Sequence, residues 1–231
     1  MPINNKKEWN SLLAKARRGD PESQWEAGYY YEEGLVDNSG SSIIKPQPSR
    51  AIHWYTLSAK QNHIASQIAL GNLLSTGDTV KRDIEAAILW TKKAIRQGSS
   101  SAAYNLGTIY RDLDKPAVAF NWYYRAVKMG DLESLFQLGL CHLFGFGTKT
   151  DYQAAKECFN QILSDKAGNI CERTLEDAAY WSGIIHLLGI GGTKKSFKKA
   201  RMLFEKANKD DDHEQANELL NLVGKTKYLK A

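Results

Sequence analysis

The residues best equipped for chemistry are the five histidines, His53, His63, His142, His186 and His213, and the three cysteines, Cys141, Cys158 and Cys171. His142 and His186 sit in equivalent places, each three residues after a glycine (Gly139 and Gly183). On stacked helical repeats such places lie roughly 10 Å apart, the spacing of packed helices. A single metal reaches only about 2 Å to each nitrogen, so the two histidines read as packing groups and no metal site is expected. Cys141 adjoins His142, but neighbouring helical residues do not face each other, which argues against a Cys–His pair. The odd cysteine count without a CxxC pair argues against a disulfide framework and is expected of a reducing compartment. Cys171, in an inserted segment, is a candidate reactive thiol. An enzyme, for instance a hydrolase, needs a nucleophile and base in one cleft. These residues do not assemble one, so no catalytic residue and no cofactor are expected.

Two glycine clusters and one basic run could suggest phosphate chemistry. GFG (145–147) and GIGG (189–192) follow predicted helices, whereas a dinucleotide fingerprint follows a strand. Their expected work is positive-φ backbone in a turn. The run TKKSFKKARMLFEKANK (193–209) carries Lys194, Lys195, Lys198, Lys199 and Arg201. It reads as the solvated face of a helix whose other face holds Phe197, Ala200, Leu203 and Phe204, with contact to phosphate or an acidic partner as the sharper alternative. A net charge of +5, from 31 basic and 26 acidic residues, gives little reason to expect nucleic acid.

The elements around these residues repeat. Residues 102–130, AAYNLGTIYRDLDKPAVAFNWYYRAVKMG, form two amphipathic halves: Ala102, Leu106, Gly107 and Tyr110, then Ala119, Trp122, Ala126 and Gly130. A glycine inside a helix costs about 1 kcal/mol relative to alanine. One kept at Gly107 predicts closely packed helices. Glycines in the same setting recur at Gly28, Gly71, Gly107, Gly139 and Gly183. Helix pairs repeating every ~34–40 residues are the mark of an α-solenoid. The expected order is an N-terminal capping helix (4–18), repeats at about 21–62, 63–98, 99–130, 131–166 and 175–211, and a capping helix (213–223), forming one elongated domain over 1–231. The surplus length falls in a polar loop at 35–49 and in the segment 165–176. Repeat four would close at Lys166 and repeat five at Asp211. Asp20 with Pro21 is a helix-start signal. A composition of 42% hydrophobic and 25% charged residues is globular. MPINNKKEWN has no apolar run of the signal-peptide kind, and no apolar stretch reaches the ~20 residues of a membrane span. A cytoplasmic chain without membrane contact is expected.

The pattern resembles the Sel-1-like repeat family, a relative of tetratricopeptide repeats: A-x-x-x-L-G-x-x-Y-x-x-G, a loop, then A-x-x-W-Y-x-x-A-x-x-x-G. Repeats two and three match it nearly position for position over a resemblance spanning about 21–211. Repeats four and five depart from it, with Cys158 and Leu203 for the tryptophan and His142 and His186 for the tyrosine. The resemblance implies an all-α, right-handed α–α superhelix of about five helix-pair repeats, with a concave face lined by first helices and a protein as partner.

On that face, three residues before each glycine, stand Trp25, Ile68, Tyr104, Phe136 and Tyr180, and one after it Tyr29, Asn72, Thr108, Leu140 and Ile184. Glu32, Glu33, Arg111 and Asp112 lie further along. The expected function is a non-enzymatic module holding a protein partner in this groove, in the form of a bacterial inhibitor or immunity-type protein that neutralises a toxic effector. A general scaffold is the alternative. The family's own packing competes as an explanation of each aromatic.

Overall fold

The computed structural model describes residue 3 and residues 5–165, 167–209 and 212–225, the last three by backbone alone. Lys166 and Asp211 therefore lie outside the described residues, as do residues 1, 2 and 4 of the N-terminal stretch. Twelve helices occur among the described residues: α1 (Lys6–Arg17), α2 (Pro21–Glu33), α3 (Pro48–Lys60), α4 (Ile64–Thr76), α5 (Ile84–Arg96), α6 (Ser100–Asp112), α7 (Pro116–Lys128), α8 (Ser134–Phe144), α9 (Tyr152–Leu163), α10 (Glu172–Leu188), α11 (Phe197–Ala207) and α12 (Glu214–Lys225). Successive helices pack on one another from α1 to α5 and from α7 to α12, the arrangement of a helical-repeat solenoid. The chain divides into two compact units, Met1–Ile109 and Tyr110–Ala231.

Several helix starts are capped by a polar side chain. Asp20 accepts from Ser23 N at 2.8 Å, Asp131 from Ser134 N at 2.9 Å and Asp151 from Ala154 N at 2.9 Å. Histidine takes the same role twice, His63 Nδ1 accepting from Ser66 N and His213 Nδ1 from Ala216 N, both at 3.3 Å. These bonds satisfy N–H groups that the helix leaves open. Gly145 and Gly189 close α8 and α10 in the left-handed conformation, so the two glycine clusters make turns.

The loop at 35–49 is not wholly irregular. Leu35–Val36 (β1) and Ser42–Ile44 (β2) pair antiparallel, with Asp37 Oδ1 accepting from Ser39 N and Ser41 N at 2.9 Å in the turn. Leu35 is buried, and Ile43 and Ile44 pack on the core of the first unit, which is why this polar segment folds back. The segment 165–176 is also partly helical, since α10 begins at Glu172.

In the first unit Trp9, Leu12, Leu13 and Ala16 of α1 cover Tyr31, and Tyr55, Leu70 and Leu73 continue the core. The second unit has one cluster around Phe159, Ile162 and Ile185 and another around Phe204, Ala207 and Ala216. The glycines set the closeness of the pairs. A methyl at Gly28 would stand 2.5 Å from the Tyr55 ring, one at Gly139 2.5 Å from Phe159 and one at Gly183 2.5 Å from Phe204. At Gly71 it would collide with Thr91.

This corrects the stripe expected for the second helices. The buried partner lies four residues after the conserved-spacing alanine, not three: Tyr55, Thr91, Tyr123, Phe159 and Phe204 are buried. Trp54, Trp90, Trp122, Cys158 and Leu203, one position earlier, are half-buried. A helical step of 100° carries the third residue off the axis joining alanine to alanine. The tryptophan face instead meets a cation: Lys93 Nζ lies over the Trp90 ring, 4.0 Å from its centroid, and the Arg125 guanidinium over that of Trp122 at 5.1 Å. Phe197 is a second correction. It is 42% exposed rather than in the core, with Lys195 Nζ 5.1 Å from its ring.

Candidate functional site

In the first unit, Trp25 and Tyr29 project one turn apart from α2 and stack with centroids 6.3 Å apart. Tyr29 is 48% exposed. His63 lies against Trp25 at 5.9 Å, and its Nε2 stands 3.0 Å from Glu22. Glu32 accepts a 2.7 Å hydrogen bond from Tyr55 Oη. Burial, then that bond, pushes the Tyr55 hydroxyl well above its ordinary value, so it remains a donor. Glu33 is exposed. Ile68, Tyr104 and Thr108 are half-buried, and Asn72 Oδ1 accepts from Asn105 Nδ2 at 2.9 Å. This surface is aromatic at Trp25 and Tyr29 and acidic at Glu32 and Glu33.

In the second unit an apolar cavity of about 440 Å³ opens between α7, α8 and α10. Ala119 and Tyr123 come from α7, Gln137, Leu140, Cys141 and Phe144 from α8, and Trp181 from α10, with Phe146 in the turn after α8. Arg111 and Asp114 are its charged members. Phe144 lies between two aromatic neighbours, 5.6 Å from Phe146 and 5.1 Å edge-on from Trp181. Phe144 and Phe146 are nonetheless 47% and 58% exposed. Burial pushes the Cys141 thiol up to about 11, which suits a packing group rather than a nucleophile.

Of the residues singled out from sequence in this unit, Arg111, Leu140 and Cys141 line the cavity. Asp112 pairs with Arg111 at 3.0 Å. Phe136 packs toward Phe159 with centroids 6.1 Å apart. Tyr180 stacks on His213 at 4.9 Å and tilts against Phe204 at 6.0 Å, while Ile184 joins the same cluster. Among the described residues no group of three His, Cys, Asp or Glu side chains is arranged to hold a metal ion, and no helix is long and apolar enough to cross a membrane.

The model of the Sel1 repeat matches residues 21–63, 64–99, 100–131, 132–162 and 176–212, most of the chain. The chain belongs to the Sel1 repeat family. Chitin synthase regulatory factor 3 of Schizosaccharomyces pombe is 32% identical over 114 residues, 47% of this chain and 12% of that protein. The ERAD-associated E3 ubiquitin-protein ligase component HRD3 of Candida glabrata is 28% identical over 131 residues, 53% of this chain and 16% of that protein. The chain thus spans a small fraction of these curated relatives. Among solved structures, a protective antigen of uropathogenic Escherichia coli displaying an SLR fold is 28% identical with a TM-score of 0.76, over 93% of this chain and 44% of that one. A Sel1 repeat protein from Oxalobacter formigenes, at 22% identity and a TM-score of 0.67, covers 87% of this chain and 75% of its own, and shows the same fold.

Within the Sel1 repeats, the cavity residues that sequence reasoning missed are Phe146, Trp181, Tyr123 and Gln137. Phe146 sits between two turn glycines, where a bulky apolar residue has no core to enter; that was a readable signal. Trp181 follows Tyr180, and only the helix rotation in three dimensions tells which of the two aromatics faces the cavity.

Proposed function

We propose that this Sel1 repeat chain is a non-enzymatic protein-binding module. The observation that carries the proposal is the open apolar cavity of the second unit, with two exposed phenylalanines at its mouth. Adjacent large apolar groups left in water mark interaction surfaces, and a partner's aromatic or leucine side chain would bury against Phe144, Phe146 and Trp181. We propose as partner-binding residues Trp25, Tyr29, Glu32, Glu33, Ile68, Asn72, Tyr104 and Thr108 on the first unit and, on the second, Arg111, Asp112, Phe136, Leu140, Tyr180 and Ile184. The names of the relatives, a regulatory factor of one enzyme and a component of another, support action through a protein partner.

The narrower form of the proposal is a bacterial immunity-type role, the neutralising of a toxic effector in the cytoplasm. Its support is analogy with family members. The fungal relatives favour the broader adaptor role. The test captures partners from native lysate with the tagged chain and with F144A/F146A. The proposal expects a stoichiometric partner whose retention falls at least about tenfold, roughly 1.4 kcal/mol, in the variant at unchanged melting temperature. Equal retention, or no stoichiometric partner, refutes it. The narrower role further requires that co-expression of the chain relieve the captured protein's toxicity to the host cell.

A further inference from the structure

A second cavity of the same unit, about 320 Å³, lies between α9, α10 and α11. Its polar lining is Asn160, Ser182, His186, Lys199 and Lys206. Ser182 is only 3% exposed, and its Oγ has no hydrogen-bond partner; His186 Nδ1, one turn along α10, is buried and has none either. A buried hydroxyl or imidazole nitrogen without a partner destabilises the fold, so each such group asks for an explanation.

The sequence shows that these two groups are departures from the repeat. Ser182 takes the slot before the helix glycine that Leu70, Leu106 and Leu138 fill in other repeats, and His186 takes the slot of Tyr31 and Tyr110, which in repeat four holds His142, whose Nδ1 is likewise buried without a partner. Repeat five thus joins a serine and a histidine at these two positions, where repeat four has Leu138 with His142, at a spacing that puts them on one helix face. Facing them, Lys199 and Lys206 are two turns apart on one side of α11. Every polar group of the lining can donate a hydrogen bond, and no carboxylate is among them.

We propose that this cavity binds a tetrahedral oxyanion of the phosphate class, free or carried as a monoester. Ser182 Oγ–H and the His186 N–H supply short-range donors, the Asn160 amide a third, and the two ammonium groups the compensating charge. Burial, then the charges of Lys199 on α11 and Lys156 on α9, hold the His186 imidazolium below its ordinary range, so the empty site keeps a neutral ring. Lys156 is itself tied to Thr193 Oγ1 at 3.0 Å. The site shares no lining residue with the apolar cavity, so it stands apart from the partner-binding proposal.

The test titrates inorganic phosphate, O-phosphoserine and acetate into the full chain at constant ionic strength, following heat and the His186 ring resonances. The expected result is saturable binding of a phosphate probe in the millimolar range or tighter, with a displaced His186 signal. Tighter binding of inorganic phosphate assigns the free ion, and tighter binding of phosphoserine the monoester. S182L/H186Y, which restores residues used elsewhere in the repeats, and K199Q/K206Q, on exposed lysines, should each weaken binding at least about tenfold. No saturable response to phosphate, an equal response to acetate, or unchanged affinity in the lysine variant overturns the proposal.

Discussion

The Cα of Gly183 on α10 faces the ring of Phe204 on α11 so closely that an added methyl would stand 2.5 Å from Cε1 and 2.7 Å from Cδ1. Phe204 is fully buried, so its ring has no open space to enter. Alanine would gain about 1 kcal/mol of helix propensity but overpack the pair at a cost of about 1–3 kcal/mol, more where the core is rigid. Gly183→Ala should lower the melting temperature, and Phe204→Leu in the same chain should recover part of the loss. A G183A variant as stable as the parent in a thermal melt would show that α10 and α11 separate freely.

Gly147 and Gly192 form a controlled pair. Both have left-handed backbone, φ +73° and +66°. A side chain at Gly147 would collide with the Pro116 carbonyl, whereas nothing lies within 4 Å of one at Gly192. Gly192→Ala should cost only the backbone strain, about 1–2 kcal/mol. Gly147→Ala should cost clearly more in urea unfolding, because it also has to displace the start of α7. Equal losses would contradict the contact.

The cysteines should separate by reactivity. Burial raises Cys158 to about 11, with the Glu157 charge adding to it, and Cys141 to about 11 against the opposing charge of Arg111. Cys171 is exposed. Alkylation of the folded chain at neutral pH should label Cys171 alone, and all three thiols after denaturation, as intact-mass spectrometry would read. Early labelling of Cys158 would count against its packing in the Phe159 cluster.

Acid should weaken the second unit through His186. Its folded value lies below the ordinary 6.5, first through burial and then through Lys199 and Lys156. The unfolded chain therefore binds the proton more readily. The stability held by the neutral ring is complete above about pH 6.5 and is lost as pH falls through that value toward the folded one. The melting temperature of the parent should drop more between about pH 7.5 and 5 than that of His186→Tyr, which has no proton to gain there. Parallel curves would remove His186 from the account.

The repeats, the helix-start signals and the tight helix pairs were legible in the sequence because each is a local pattern: a small residue, a glycine five later, a polar cap just before a helix. Which of Trp122 and Tyr123 enters the core was not, since both fall on the apolar side of a helical wheel and only the partner helix chooses. The hairpin at 35–44 was hidden for a similar reason. Its strands are too short for alternation to show, and their order comes from Leu35, Ile43 and Ile44 meeting a core made elsewhere. The apolar cavity was half legible, through Arg111 and Leu140, whereas Trp181 and Phe146 reach it only by helix rotation and turn geometry.

Across the first two repeats runs a set of glutamine amide contacts. Gln24 Nε2 donates to Ala16 O at 3.0 Å and Gln67 Nε2 to Ala59 O at 3.2 Å. Their own Oε1 atoms accept from Gln61 and Gln97, each at 2.8 Å. The equivalent positions later in the chain are Ala103, Leu135 and Ala179. The parts of this molecule are therefore not all interchangeable. The segments 21–63 and 64–99 could trade places, because each carries its own amide join and asks only for a backbone carbonyl from whatever precedes it. Segment 132–162 spliced into either place would present Leu135 to that carbonyl and leave it without its side-chain donor. A molecule that looks like one unit copied five times thus carries in its first two repeats a joint that segment 132–162 cannot supply.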